Sequence, residues 1–176
     1  ETQSFLWGGS CALHDKAARR NKLPDRAPDP FREREALVSE MVANLTRPRG
    51  NPRIAMTDEL VLKGLLPFFA RFLYELGFDP EIHRGGGQSD LKRGIRSANV
   101  PFCAPMQLYH GMAARLTETG SNFVFLPMVR SLPRFGCEPR SKTCPIVQAS
   151  ADILRWDLGL KAGSRIVSPI LDAASG

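Results

Sequence analysis

Two of the four cysteines occupy matched positions, each at the end of an apolar stretch and close to a proline. Cys103 precedes Pro105 by two residues, and Cys144 is followed directly by Pro145. Because proline is favoured at the first position of a helix, Cys144 is predicted to be an N-cap residue and Cys103 to lie one residue before another N-cap. A helix N-terminus favours thiolate over thiol through its unpaired N–H groups and positive partial charge. Thiolate binds metals and attacks electrophiles, so the pair indicates a metal or iron–sulfur site, or redox chemistry.

Two other interpretations of these thiols remain open. Both side chains fit the profile of small buried hydrophobes, which is how free cysteines often pack. Alternatively, Cys144 is a redox-active or nucleophilic thiol. The remaining cysteines are Cys11 and Cys137. Four cysteines in 176 residues are too few to indicate a disulfide scaffold, and their spacing is wrong for a zinc finger, which needs close pairs. We therefore expect a reducing, cytoplasmic compartment.

Four basic residues lie together around Cys137, namely Arg130, Arg134, Arg140 and Lys142. They follow the strongest predicted strand, so we expect them at the sheet edge where ligands bind. A positive field there would favour thiolate and attract a phosphate-bearing ligand or an acidic partner. For any single one of these residues, the alternative is a solvated surface loop.

The composition excludes several classes of protein. The formal net charge of +6 is dispersed, without a continuous basic stripe that carries stacking aromatics, so we expect no nucleic-acid partner. No uninterrupted apolar run approaches the roughly 20 residues that a membrane span needs. The chain begins at Glu1 and stops at Gly176, soon after an apolar run. We expect it to be a piece of a longer polypeptide, with its α/β domain truncated at the C-terminus.

Strand and helix patterns alternate along most of the chain. Alternation of this kind predicts an α/β fold, with a parallel sheet between helices on both faces. We expect an N-terminal extension and linker over residues 1–52, mostly helical or irregular, and an α/β domain over residues 53–176. The predicted strands are 53–57, 79–83, 122–129 and 165–171, and the predicted helices are 30–45, 59–76, 88–98, 105–119 and 145–158.

In such a sheet, ligands sit beyond the carboxyl ends of the strands. Asp58, Gly85–Gly87, Cys103 and the loop after Val129 are expected at that edge. The three glycines are interpreted as a flexible turn in preference to a phosphate-binding loop, because the full dinucleotide fingerprint is missing. Asp58 lies on this edge or caps the following helix. His110 is about 10 Å of helix rise from Cys103. We therefore expect His110 to have a packing role and not to form a pair with the Cys103 thiol.

Several segments resemble the large acyl-CoA dehydratase activase proteins, which are related to the 2-hydroxyglutaryl-CoA dehydratase and benzoyl-CoA reductase systems. The resemblance covers most of the chain, and the helix-opening cysteines carry most of its specificity. Its segments are Phe5-Leu-Trp-Gly-Gly-Ser-Cys11, Lys22-Leu-Pro24, Phe31-Arg-Glu-Arg34, Phe72-Leu-Tyr-Glu-Leu-Gly-Phe78, Cys103-Ala-Pro-Met-Gln107, His110-Gly111, Phe125-Leu-Pro127 and Thr143-Cys-Pro-Ile-Val-Gln148.

The resemblance implies a flavodoxin-like or Rossmann-like three-layer domain that binds a four-iron four-sulfur (4Fe-4S) cluster. Cys103 and Cys144 match the cluster ligands at strand–helix junctions, Cys11 matches a cysteine of the N-terminal segment, and Cys137 falls in a variable loop. The implied role is low-potential electron transfer to a 2-hydroxyacyl-CoA dehydratase-like reaction.

The partners that the resemblance implies are dehydratase-like or activase domains of the same or another chain, and an acyl-CoA as the phosphate-bearing ligand. The ATP-binding activase domains of the family are absent from these residues, so we expect no ATP hydrolysis by this chain alone. The alternative function is a non-catalytic interaction module with structural, buried cysteines.

Overall fold

The computed structural model describes residues 28–45, 50–134, 136, 141–160 and 165–174. The chain divides into two compact units, Glu1–Arg34 and Glu35–Gly176. Helix α1 (Pro30–Val42) begins in the first unit and ends in the second. It begins where the carboxylate of Asp29 accepts hydrogen bonds from two backbone N–H groups of the first turn, at 3.0 and 3.1 Å. Asp29 therefore acts as the N-cap that a helix start requires.

The strands of the second unit form a parallel sheet and a smaller parallel pair. The sheet runs in the order β2-β1-β3-β5, and β4 pairs with β6. The chain crosses from one side of β1 to the other between β2 and β3, as in doubly wound sheets of the flavodoxin type. The strands are β1 (Arg53–Thr57), β2 (Asp79–His83), β3 (Phe123–Phe125), β4 (Met128–Ser131), β5 (Ile166–Val167) and β6 (Ile170–Asp172).

Helices cover both faces of the sheet, which confirms the predicted α/β architecture. Alternate residues of β1 enter opposite cores: Ile54 packs on the face covered by α2, and Ala55 packs on the face covered by α4 and α6. On β3, Phe125 packs on the face covered by α2, and Val124 packs on the face covered by α4 and α6. The helices after α1 are α2 (Leu62–Glu75), α3 (Gln88–Ser97), α4 (Ala104–Thr117), α5 (Pro145–Gln148) and α6 (Ser150–Asp157).

Three predicted elements are interrupted. The strand predicted at 122–129 ends at Phe125 and resumes as β4, because Pro127 has no N–H for the ladder. Pro169 divides the neighbouring strand into β5 and β6 in the same way. The ladder continues across both interruptions through Leu126 N–H to the Val167 carbonyl, at 2.9 Å. The helix predicted at 145–158 is divided into α5 and α6 at Ala149 (φ −107°, ψ 9°).

Helices α3 and α4 pack with their backbones in direct contact. At Gly94, an added Cβ would lie 1.7 Å from the Gln107 carbonyl oxygen, and at Gly111 it would lie 1.8 Å from the Asp90 carbonyl oxygen. The two backbones can approach this closely only because both positions lack a side chain.

Strand β2 lies at one end of the sheet order, so it is an edge strand. Asp79 N–H donates to the Pro52 carbonyl at 3.0 Å, on the side of β1. Successive residues of a parallel strand direct their backbone groups to opposite sides, so Pro80 directs its backbone nitrogen away from β1. Within the described residues, every helix falls short of the length and apolarity that a membrane span needs.

Candidate functional site

The first predicted thiol lies where α4 begins. Cys103 is the N-cap residue, with an extended backbone (φ −62°, ψ 153°), and its carbonyl accepts from Gln107 N–H at 3.0 Å. The prediction that Cys103 precedes the N-cap by one residue is wrong, because Ala104 is already helical and Pro105 occupies the second helical position. The thiol is free and exposed.

The second thiol has the same local geometry at the start of α5. Cys144 is the N-cap residue (φ −67°, ψ 155°), and Pro145 follows at the first helical position, which confirms the prediction. The preceding Thr143 anchors this junction to β4, because its N–H donates to the Arg130 carbonyl at 3.0 Å. Gln148 adds a side-chain hydrogen bond to the Thr143 carbonyl at 2.8 Å.

Both thiols belong to the carboxyl edge of the sheet. Helices α4 and α5 lie on connections that return the chain to parallel strands, so their N-termini face the edge where the strands end. Their neighbours Phe102 and Ile146 pack against the same core cluster. Because Cys103 and Cys144 are exposed, the interpretation of both as small buried hydrophobes is wrong. The buried-cysteine part of the alternative function is wrong for these two residues as well.

The thiols suit a soft metal or an iron–sulfur cluster in chemistry but supply only part of a ligand set. Within the described ranges, no group of three or more His, Cys, Asp or Glu side chains could hold a metal ion. Cys11 and Cys137 lie outside the described residues. A complete site therefore requires ligands in addition to Cys103 and Cys144.

The predicted basic group lies along and after β4. Arg130 and Arg134 are exposed, and Lys142 pairs with Ser131 through an isolated antiparallel bridge. Arg140 lies outside the described residues. The proximity of these cations to the two thiols stays a prediction.

A second cluster at the same edge surrounds Asp58, which follows β1 as predicted. Its side chain is only 3% exposed. One carboxylate oxygen accepts from Gly85 N–H at 3.2 Å, and the other lies 3.0 Å from Lys63 Nζ and 3.5 Å from Arg84 Nε. Asp58 therefore joins the ends of β1 and β2 instead of capping α2.

The glycine turn donates its backbone N–H groups to acidic side chains of the chain itself. Besides the contact at Asp58, Gly86 N–H donates to Glu59 at 3.1 Å and Gly87 N–H donates to Asp90 at 3.1 Å. Gly85 requires its lack of a side chain because its φ is +71°. The turn is thus a structural junction with its amides engaged, which agrees with the preference for a turn over a phosphate-binding loop.

Arg84 ties the end of β2 to the part of α1 that belongs to the second unit. Its guanidinium lies 2.5 Å from a Glu35 carboxylate oxygen and donates to Ser39 Oγ at 2.6 Å. Lys63 also lies 3.9 Å from the Glu35 carboxylate. Counted over the described residues, the cluster holds one more carboxylate than cations when Glu59 is included. These residues give no excess positive charge to bind an anion, so we interpret the cluster as a clamp between elements.

Replacing Asp58 with Asn keeps the shape of the side chain and removes its charge from Lys63 and Arg84. We expect the free energy of unfolding to fall by about 1–3 kcal/mol, the range for losing hydrogen bonds to a charged, buried group. The matched control is Asp152→Asn, at a 65% exposed carboxylate paired with Arg155, for which we expect a change of at most about 0.5 kcal/mol. Urea titration of both variants measures the difference, and equal losses would contradict the clamp.

His110 packs inside the protein, as predicted, but with a polar partner. Its Nε2 lies 3.1 Å from an Asp157 carboxylate oxygen, and the two side chains are 0% and 5% exposed. Asn99 donates to the other oxygen of Asp157 at 2.7 Å. Since a carboxylate only accepts, Nε2 carries the proton, and within the described residues Nδ1 has no hydrogen-bond partner. The pair links α4 to α6.

Sequence reasoning missed the partners of Asp58 and His110. Lys63 stands five residues after Asp58, and Arg84 directly follows β2. Because β1 and β2 pair in parallel, the residues after both strands lie at the same edge, and this pairing was the available signal for the Asp58 cluster. Asp157 is 47 residues from His110, and no pattern within either helix connects them.

The chain matches a sequence family over residues 53–176, and that family is described as the CoA enzyme activase uncharacterised domain. No significant match was found among curated proteins or among solved structures. The match covers more than half of the chain and agrees with the resemblance carried by the cysteine motifs. The chain therefore belongs to the family of the CoA enzyme activase uncharacterised domain.

Proposed function

We propose that Cys103 and Cys144 are two thiolate ligands of a 4Fe-4S cluster, and that the domain supports low-potential electron transfer to a 2-hydroxyacyl-CoA dehydratase-like reaction. The carrying observation is the pair of exposed, free cysteines, each the N-cap residue of a helix at the carboxyl edge of one sheet. Cysteine thiolates are the usual ligands of such clusters. When bound, the cluster would supply one-electron transfer.

The chain's own residues contribute ligation and electrostatics to this proposal. The free N–H groups of the first turns of α4 and α5 offset the negative charge of ligating thiolates. Arg130 and Lys142 would add positive charge if they lie near the thiols. The remaining ligands come from outside the described residues, with Cys11 as a candidate, or from a dehydratase-like or activase domain of the same or another chain.

Anaerobic reconstitution of the 176-residue chain with iron and sulfide tests this proposal. We expect bound iron and acid-labile sulfide, with a broad visible absorbance, because the exposed cysteine side chains are accessible to the reagents. The Cys103→Ala, Cys144→Ala double variant should lose both iron and absorbance while keeping the folded circular dichroism spectrum.

Cys137→Ala is the matched control, because this cysteine is the weakest ligand candidate, and it should retain uptake close to that of the unchanged chain. Absence of uptake by the unchanged chain, or equal uptake by the double variant, would overturn the proposal.

The second candidate function is a non-catalytic interaction module of an activase-type protein. One observation favours it: Phe68, Phe72 and Leu76 on α2 are 64%, 48% and 59% exposed. The rings of Phe68 and Phe72 stack with centroids 6.2 Å apart. Exposed apolar surface of this kind marks contact sites. Failure of the chain to take up iron would favour this function over ligation.

A further inference from the structure

Helix α2 has two apolar stripes. The buried stripe packs on the sheet and consists of Leu62, Leu66, Phe69, Ala70 and Leu73. The second, which we call the outer stripe, consists of Leu65, Phe68, Phe72 and the C-cap residue Leu76, at spacings of three and four residues. Three of its four members are exposed, and Leu65 is half-buried. A helix packs on its own core with one stripe, so the outer stripe has the pattern that packs on a further helix.

Two charged side chains flank the outer stripe. Arg71 and Glu75 lie one turn apart and pair with each other at 2.5 Å, and their side chains are 65% and 56% exposed. Among the described residues, they are the charged residues that line the groove between the outer stripe and Met41 of α1. One cation and one anion give this flank no net charge, so it does not select an acidic partner or a basic one.

A second copy of the chain is complementary to this arrangement of charges. A two-fold axis near Phe72, perpendicular to the plane of the two helices, sets two α2 helices antiparallel and brings the same flank of each copy together. The flank then meets itself in reverse order, so each Arg71 faces the Glu75 of the other copy. Phe68 of each copy lies at the level of Leu76 of the other, so apolar stripe meets apolar stripe along the contact.

An apolar cavity lies on the other flank of the outer stripe and fits the same arrangement. Among the described residues, it has a volume of about 410 Å³, and its walls include Leu65 and Phe68 of α2 together with Leu132 and Leu171 from the β4-β6 side. In the antiparallel pair, Leu76 of the second copy lies opposite Phe68, beside this cavity. Side chains that fill such pockets contribute most to the stability of an interface.

We propose that the outer stripe of α2 is the two-fold interface of a homodimer, with the two α2 helices antiparallel. The proposal rests on the second candidate function, contact through α2, and names a second copy of the chain as the partner. It is independent of the cysteine ligands of the first candidate function.

Sedimentation velocity of the full chain under reducing conditions, over a range of protein concentrations, tests the interface. We expect a reversible equilibrium between monomer and dimer. Phe72→Asp should weaken dimerisation at least about tenfold, because it sets two carboxylates against each other at the apolar centre of the contact. The matched control is Ile95→Asp on α3, at a side chain that is 51% exposed, which should leave the equilibrium unchanged. A chain that stays monomeric, or equal weakening by both substitutions, would overturn the proposal.

A charge exchange tests the antiparallel arrangement. Arg71→Glu and Glu75→Arg should each weaken dimerisation at least about tenfold, because like charges then face each other along the whole flank. An equal mixture of the two variants should form a heterodimer, since the flank of one is then entirely acidic and that of the other entirely basic. The mixture also separates a contact between copies from a loss of folding in either variant. A mixture that stays monomeric would overturn the arrangement.

The Cys103→Ala, Cys144→Ala double variant distinguishes this proposal from cluster ligation. It should lose iron uptake and keep the dimer, because neither thiol lies on α2. Loss of the dimer in this variant would assign association to the thiols and overturn the proposal for α2.

Discussion

Gly111→Ala should destabilise the second unit by about 3 kcal/mol or more, at the upper end of the range for overpacking. The added Cβ would lie 1.8 Å from the Asp90 carbonyl oxygen and 3.0 Å from the Gly94 nitrogen. Both are backbone atoms, so no side-chain rotation can relieve the overlap, and α3 must separate from α4. Urea unfolding followed by circular dichroism measures the loss.

The control for this prediction is Gly64→Ala. Gly64 is inside α2 and exposed, and an added Cβ meets nothing within 4 Å. Because alanine is a better helix former than glycine, this variant should gain about 0.5–1 kcal/mol. The same chemical change thus has opposite signs at the two positions. A loss below about 1 kcal/mol for Gly111→Ala would show that α3 and α4 do not pack at backbone contact.

His110→Phe should lower the free energy of unfolding by about 1–3 kcal/mol, because it removes the imidazole hydrogen bond from the buried Asp157 carboxylate. Phenylalanine fills the space of the imidazole, so the loss reports the missing partner rather than an empty cavity. The His110→Phe, Asp157→Leu double variant should recover most of the loss, since no buried charge remains. Chemical denaturation of the single and double variants gives both values.

His83→Phe is the matched control. His83 also pairs with a carboxylate, lying 2.9 Å from Glu81, but the two side chains are 24% and 31% exposed. Partly exposed pairs contribute at most about 1 kcal/mol, so we expect a small change. If the double variant were no more stable than His110→Phe alone, burial of the charge would not be the cause of the loss.

The fold was predictable because local signals and sheet pairing agree. The first two strands match the predicted residues 53–57 and 79–83. An apolar run marks the first of them, and the second follows Gly77, which ends α2. Pro127 lies inside an apolar run that predicts one continuous strand. Because proline has no N–H to donate to the ladder, β3 ends at Phe125 instead. The break at Ala149 had no such marker, because alanine is compatible with a continuous helix.

The candidate site was predictable where a residue's role is set by its immediate neighbours. The proline after Cys144 fixes the helix start, so the thiol's position followed from three residues of sequence. The partners of His110 and Asp58 depend on how separate elements pack, which a single sequence does not encode locally. The exposure of both thiols also depends on how separate elements pack, since the surrounding helices decide whether a position is buried.

Pro80 hinders the addition of another strand at the β2 edge of the sheet. Strands at sheet edges are templates for further chains because their outward N–H and carbonyl groups are unpaired. In β2 the outward positions are Pro80 and Ile82, so Ile82 alone has an outward N–H donor within that strand. Such an edge is a poor template for a fifth parallel strand or for amyloid-like stacking. Association of this unit with other proteins is therefore expected to proceed through side-chain surfaces rather than by strand addition at β2.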